Sequence, residues 1–230
     1  ELVPRVGDHI IYLGKLDGFE CKLERMKAFY EKGWRGVHVE ALPEYVKALK
    51  KDRPDEQVLH YAVCDEKIDK IDFYQISNTG ISTGDPDIAA VHKQNGFKVR
   101  KIKVPCIQLS TVFDIAGDKE IYWLKIDVEG MEIGVVKGAK ELINKFKPII
   151  YIENDRQQHS KNLIELLWSL DYKMYWHLPK LYNENNYLKN KENIFGNIIS
   201  VNMLCIHKDS LIKIVDMDEV TNSNYHPMKK

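Results

Sequence analysis

The chain has no excess charge of either sign, few cysteines, no long apolar run, no internal repeat and no low-complexity tract. Its 34 basic and 34 acidic residues cancel, which removes the basic face expected of a nucleic-acid binder. No nucleic acid is therefore expected as a partner. No stretch approaches the roughly 18 consecutive apolar residues of a membrane-crossing helix, and no signal peptide is visible, so no membrane span is expected. Cys21, Cys64, Cys106 and Cys205 show none of the spacings of a metal site. Cys64 and Cys205 sit in apolar runs, as small buried hydrophobes do. This usage points to a reducing compartment rather than a disulfide scaffold, and to a cytoplasmic location. The Gly-x-Gly-x-x-Gly loop of a dinucleotide site is also missing, which argues against NAD.

What is present is a full core's worth of apolar residues, 44% of 230, in an alternating pattern of strands and helices. Short apolar runs at His9–Leu13, Val37–Val39, Val58–Val63, Ile71–Ile76, Lys98–Val104, Ile121–Ile126, Pro148–Ile152, Tyr172–Trp176 and Ile198–Ile206 read as strands. Helical spacing recurs from Leu23 to a stop at Gly33, from Pro43 to about Lys50, from Met131 to Phe146 and from Ser160 to Leu170. The alternation implies an α/β fold with a mostly parallel sheet and helices on both faces. One domain is expected over residues 1–215. Within it, residues 77–98 are turn-rich and read as a lid-like insertion, with a short helix from Asp87 to Gln94. Residues 216–230 read as a frayed polar tail. The chain begins at Glu1, which reads as a piece excised from a longer protein.

The candidate chemistry sits at strand ends. In Trp123-Leu-Lys-Ile-Asp127-Val-Glu129-Gly130-Met-Glu132 an apolar strand stops at two carboxylates, with a glycine and a helix after them. Carboxylates beside a buried strand are costly unless paired or used, and in open α/β sheets this end of a strand faces the ligand crevice. Gly14, Asp17 and Gly18 follow the first strand, where glycines allow close backbone approach. Glu40 ends the next strand, 22 residues after Gly18, where an acid can accept bonds from both ribose hydroxyls. Ala62 and Val63 end the third and offer apolar flanks to an adenine. Together these describe a nucleoside crevice.

With those residues in place, the chain resembles the FkbM family of S-adenosylmethionine-dependent methyltransferases. The resemblance is strongest over Leu124–Glu132, Val136–Ala139 and Lys147–Glu153. It extends to Gly33–Glu40 and Phe195–Asn202, so that it covers about residues 9–207. It implies a Rossmann-like class I methyltransferase fold with an antiparallel strand near the C-terminus. It also implies O-methylation of a sugar hydroxyl in a glycan or glycoconjugate, and a fused glycosyltransferase domain as a natural companion. Carried over, Gly14, Asp17, Gly18 and Glu40 contact the cofactor and Asp127 faces the transferred methyl. One position departs: the family's first strand usually ends in an acid, and here Tyr12 stands there. That departure is the basis of the alternative, a non-catalytic binding module with a decayed cofactor site.

Methyl transfer to a weakly acidic hydroxyl needs alignment and a proton acceptor. Three arrangements suit this. Asp127 with Glu129 can act as a carboxylate base. His177, after strand Tyr172–Trp176, can do so instead. Asp127, Glu153 and Asn154 can hold Mg²⁺, as hard oxygen ligands do in catechol-type O-methyltransferases. Residues 177–197, rich in aromatics and amides, form with the 77–98 loop the expected acceptor side. Lys180, Lys189 and Lys191 are the alternative contacts for a nucleotide-sugar phosphate.

Overall fold

A computed structural model describes residues 9–14, 29–65, 68–76, 80–116, 121–185, 189, 191–193 and 195–229. Ten strands and six helices are used below. The strands are β1 His9–Gly14, β2 Arg35–Glu40, β3 Gln57–His60, β4 Ala62–Cys64, β5 Lys70–Gln75, β6 Arg100–Gln108, β7 Ile121–Asp127, β8 Ile149–Glu153, β9 Tyr172–His177 and β10 Asn202–His207. The helices are α1 Pro43–Asp52, α2 Pro86–Gln94, α3 Leu109–Ala116, α4 Glu132–Gly138, α5 Lys140–Phe146 and α6 Gln157–Ser169. Of the helix expected from Leu23, only its end is among the described residues. It closes at Gly33, whose φ of 90° suits a left-handed cap, with Gly33 N–H donating to Tyr30 and Trp34 N–H to Phe29.

The main sheet has seven strands in the order β3-β2-β1-β7-β8-β10-β9. All neighbours are parallel except β10, which is antiparallel to both β8 and β9. Alternate residues serve opposite faces. Ile11, Val37, Val39, Leu124 and Ile126 face the large core with α3 to α6. Tyr12 and Trp34 face the other side, where α1 packs Val46 and Leu49 on Val58. The strand order reverses between β1 and β7, where Gly14 pairs with Asp127. A crevice at the carboxyl ends of the strands belongs there.

Several expectations are corrected. The strand expected over Val58–Val63 breaks at Tyr61. β3 stays in the main sheet, while β4 leaves it to join β6 and β5 in a second, three-stranded sheet. The helix expected over Met131–Phe146 is two helices, because Ala139 leaves helical geometry at φ −122°. Helix α3 was not expected, although Leu109, Val112 and Phe113 carry its i, i+3, i+4 stripe and are buried. The last strand begins at Asn202, not Ile198, which is exposed.

The cysteine reading also changes. Cys64 and Cys106 form a disulfide tying β4 to β6, while Cys205 is free and buried. The cytoplasmic expectation leaned on the absence of such bonds, and this one removes that ground. The tail is not frayed in its described part. Asp218 and Val220 bond to Trp176 and Met174 along β9, and His226 is buried. Among the described residues no helix is long and apolar enough to cross a membrane.

Candidate functional site

A pocket opens at the ends of β2 and β7, beside β4. It gathers Glu40, Ala62, Val63 and Asp127, four of the expected cofactor residues, from three separate strands. Leu42, Tyr45, Tyr61 and Phe73 complete its apolar and aromatic wall, and Gly80 and Ser82 bring in the 77–98 segment. Glu40 is buried, and its Oε1 accepts from the Leu42 amide at 2.7 Å, which fixes the carboxylate at the strand end. Burial, with Glu40 and Glu44 nearby, raises the pKa of Tyr45 above its ordinary value. Gly14 lies beside Asp127 in the sheet register. Asp17 and Gly18 lie outside the described residues.

Tyr12 does not line this pocket. Its ring stacks on His38, with centroids 4.6 Å apart and planes 7° from parallel. The period-2 alternation that points Ile11 into the large core puts Tyr12 on the face of Lys125 and Asp127, two residues short of the strand ends where the pocket opens.

Next to the pocket lies a carboxylate cluster. Asp127, Glu129 and Glu153 each offer an oxygen within 4.8 Å of the others. Asp127 and Glu129 are each only 2% exposed. Two cations answer them. Lys125, two residues before Asp127 and so on the same strand face, donates to Asp127 Oδ2 at 2.8 Å. Arg156, just after β8, donates to Glu129 Oε2 and lies 3.3 Å from Asp155. Burial works against the guanidinium's charge, but Asp155, Glu129 and Glu153 outweigh it and hold the pKa of Arg156 above its ordinary value. Neither cation was expected from the sequence. The alternation Lys125-Ile-Asp127 was the available signal for the first; the second pairs with a residue 27 positions away.

The turn carrying these groups is held on all sides. Glu129 adopts φ 52° and Gly130 φ 96°, a left-handed pair that costs a non-glycine residue about 1 kcal/mol or more. Thr83 Oγ1 donates to the Glu129 carbonyl at 2.6 Å. A side chain at Gly130 would collide with Ile88, since an added Cβ falls 2.3 Å from its Cδ1. Glu132 accepts from the amides of Val128 and Gly130. Burial pushes its carboxyl up to about 7, against the pull of those amide bonds.

The expected Mg²⁺ ligands are only partly brought together. Asn154 turns its amide to Ser160 Oγ and Met203 Sδ, at 3.0 and 3.4 Å, and its carbonyl accepts from His226 at 2.8 Å. It is absent from the acidic set, and Glu129 stands in its place. Lys125 and Arg156 already sit on two of the three carboxylates, so this arrangement does not fit a divalent cation. No step below passes through one. His177 also stands apart. The register aligns Glu153, Asn202 and His177 across β8, β10 and β9, which puts the imidazole two strands from Glu153. There its Nδ1 lies 2.8 Å from the Tyr151 hydroxyl. None of the described residues of the 177–197 segment lines the pocket.

The methyltransferase FkbM domain matches this chain over residues 7–174. No curated protein matches it. Among solved structures, a methyltransferase FkbM from Methylobacillus flagellatus KT is similar, at 13% identity and a TM-score of 0.46. That match covers 85% of this chain and 43% of the other, so the chain spans less than half of that relative's length. A precorrin-6y C5,15-methyltransferase from Geobacter metallireducens GS-15 is similar at 11% identity and a TM-score of 0.43, covering 87% of this chain and 80% of the other.

Proposed function

The chain belongs to the FkbM methyltransferase family, and from that premise we propose that it transfers the methyl group of S-adenosylmethionine to a hydroxyl of a sugar in a glycan or glycoconjugate. The observation that carries the reading is the pocket that collects Glu40, Ala62, Val63 and Asp127 at the sheet's reversal point. Its chemistry fits a nucleoside: one buried carboxylate for the ribose hydroxyls and a wall of Leu42, Tyr45 and Phe73 for a base. Gly14, Asp17 and Gly18 contact the cofactor on the resemblance alone.

The bound cofactor supplies an electrophilic methyl group. The protein's own part is to orient the acceptor and take its proton. Asp127 is the base: its carboxylate lines the cofactor pocket, and the Lys125 ammonium 2.8 Å away holds it in place. The acceptor oxygen would take the methyl as its bond to the sulfonium sulfur breaks, the electron pair staying on sulfur, and the hydroxyl proton would pass to Asp127. Glu129 and Arg156 orient the far side of the acceptor. The alternative of a decayed binding module rests on Tyr12, and that ring stacks on His38 without lining the pocket.

Calorimetric titration with S-adenosylmethionine tests the reading. Saturable binding at micromolar levels is expected, weakened at least about tenfold in Glu40→Ala by loss of the two ribose bonds. It should be indifferent to added Mg²⁺ or to a chelator. Absence of binding in the unsubstituted protein would overturn the methyltransferase assignment for this chain.

A further inference from the structure

We propose that the acceptor binds in a second pocket, between the start of α2 and the start of α6, and that this pocket selects an uncharged, hydroxyl-rich molecule and excludes phosphate- or carboxylate-bearing ones. The proposal deepens the methyltransferase reading and rests on it. The pocket has a cavity volume of about 280 Å³ and is lined by Asp85, Asp87, Val91, Arg156, Gln158 and His159, among others.

Its position relative to the first pocket is the first argument. The 80–88 segment serves both: Gly80 and Ser82 line the cofactor pocket, Asp85 and Asp87 the second. Between them stands the strained Val128–Gly130 turn, pinned by Thr83 and by Ile88 against Gly130. The carboxylate cluster stands between the two: Asp127 lines the cofactor pocket, while Arg156 lines the second pocket and holds Glu129. A two-substrate transfer needs donor and acceptor to meet at one base, and the two pockets flank the cluster that contains it.

Charge is the second argument. An exposed arginine in a pocket usually signals an anionic ligand. Here the guanidinium is already engaged by Glu129 and Asp155. Asp85 and Asp87 add two more carboxylates to the rim, with Asp85 Oδ1 capping α2 through the amides of Asp87 and Ile88. The rim carboxylates Asp85 and Asp87 thus add negative charge to a pocket whose one guanidinium is already paired, a field that repels a phosphate or uronate. The same oxygens, with the Gln158 amide and the His159 ring, suit the donors and acceptors of hydroxyl groups. The apolar faces of Ile88 and Val91 provide a floor for a ring's C–H surface.

The test is a titration followed by NMR of the His92 and His159 rings, with methyl β-galactoside and methyl α-glucoside as neutral probes and glucose 1-phosphate as the anionic one. Val91 is 52% exposed on α2, so Val91→Trp blocks the pocket without disturbing the core. The neutral probes are expected to shift the ring signals at millimolar concentration, about tenfold more weakly in Val91→Trp, with glucose 1-phosphate binding at least about tenfold more weakly than either. In Asp87→Lys the anion should gain about tenfold. Ring signals unmoved by both neutral probes, an anion that binds as well as they do, or shifts unchanged in Val91→Trp would each overturn the proposal. Calorimetry with S-adenosylmethionine on the same samples separates the two readings: Val91→Trp should bind it like the parent protein, and failure of the parent to bind it would count against the methyltransferase assignment alone.

Discussion

Two buried charge clusters lie in this sheet, and they are built from nearly the same residue types. Beneath β1 and β2, His38 Nε2 lies 2.7 Å from Glu56 Oε2, and Arg53 Nη1 lies 3.4 Å from the imidazole and 3.7 Å from Glu56. At the ends of β7 and β8, Asp127, Glu129 and Glu153 meet Lys125 and Arg156. The carboxylates of both are buried, and Arg53 is fully buried. They differ in what closes them. The first is roofed by the Tyr12 ring and lines neither pocket described above. The second sits on a left-handed turn and opens onto both pockets. Burial and perturbed acidity are therefore shared by a structural network and by the one proposed to react. Backbone strain and adjoining space separate them.

The sharpest way to break the comparison is to neutralise one acid in each cluster. Asp127→Asn keeps the shape of the crevice but cannot take the acceptor's proton. Methyl transfer is expected to fall about 10²–10⁴-fold, the usual worth of a positioned base, measured as labelled methyl appearing in the acceptor at saturating S-adenosylmethionine. Glu56→Gln should do the reverse. It leaves Arg53 buried with a weaker partner and costs about 3–4 kcal/mol of stability in urea unfolding. The lower half of that range is expected because Asp52 stays 3.4 Å from Arg53 Nε. Its transfer rate should stay within about twofold of the parent's. A Glu56→Gln protein that is stable but inactive would erase the distinction between the two networks.

What could be read from sequence follows the same divide. Asp127, Glu129 and Glu40 were visible because each terminates a short apolar run, so local pattern alone places it at a strand end. The mostly parallel order was visible for the same reason. What could not be read depends on partners far away in the chain. Arg156 reaches Glu129, Cys64 meets Cys106 across 42 residues, and His226 reaches the Asn154 carbonyl across 72. Phe73 enters the cofactor pocket only because β4 leaves the main sheet at Tyr61 and carries its neighbours with it. The tail looks polar by composition, yet Val220 and His226 pack on β9 and the end of β8. Nothing local distinguishes it from a frayed end. Helix α3 is the exception, since its stripe of Leu109, Val112 and Phe113 was there to be read.

The smallest expected effect is a difference of sign between the clusters as pH changes. His38 is held below its ordinary value by burial, against the pull of Glu56. Below about pH 6.5 the unfolded chain takes up a proton there that the folded one refuses, so this network loses stability as pH falls. Glu132, which holds the turn of the reactive cluster, is shifted the other way, from 4.5 to about 7. Between those values the folded chain keeps a proton that the unfolded one releases, so stability falls as pH rises through the window. The Glu132 contribution is about 3 kcal/mol across it. Urea unfolding at pH 5 and pH 8 should show Glu132→Gln flattening the loss on the alkaline side, with the loss on the acid side kept. Gln retains the oxygen that accepts from Val128 and Gly130, so the turn survives while its titration is removed. An unchanged slope in that variant would mean that the reactive turn is as indifferent to neutral pH as the sealed network under Tyr12.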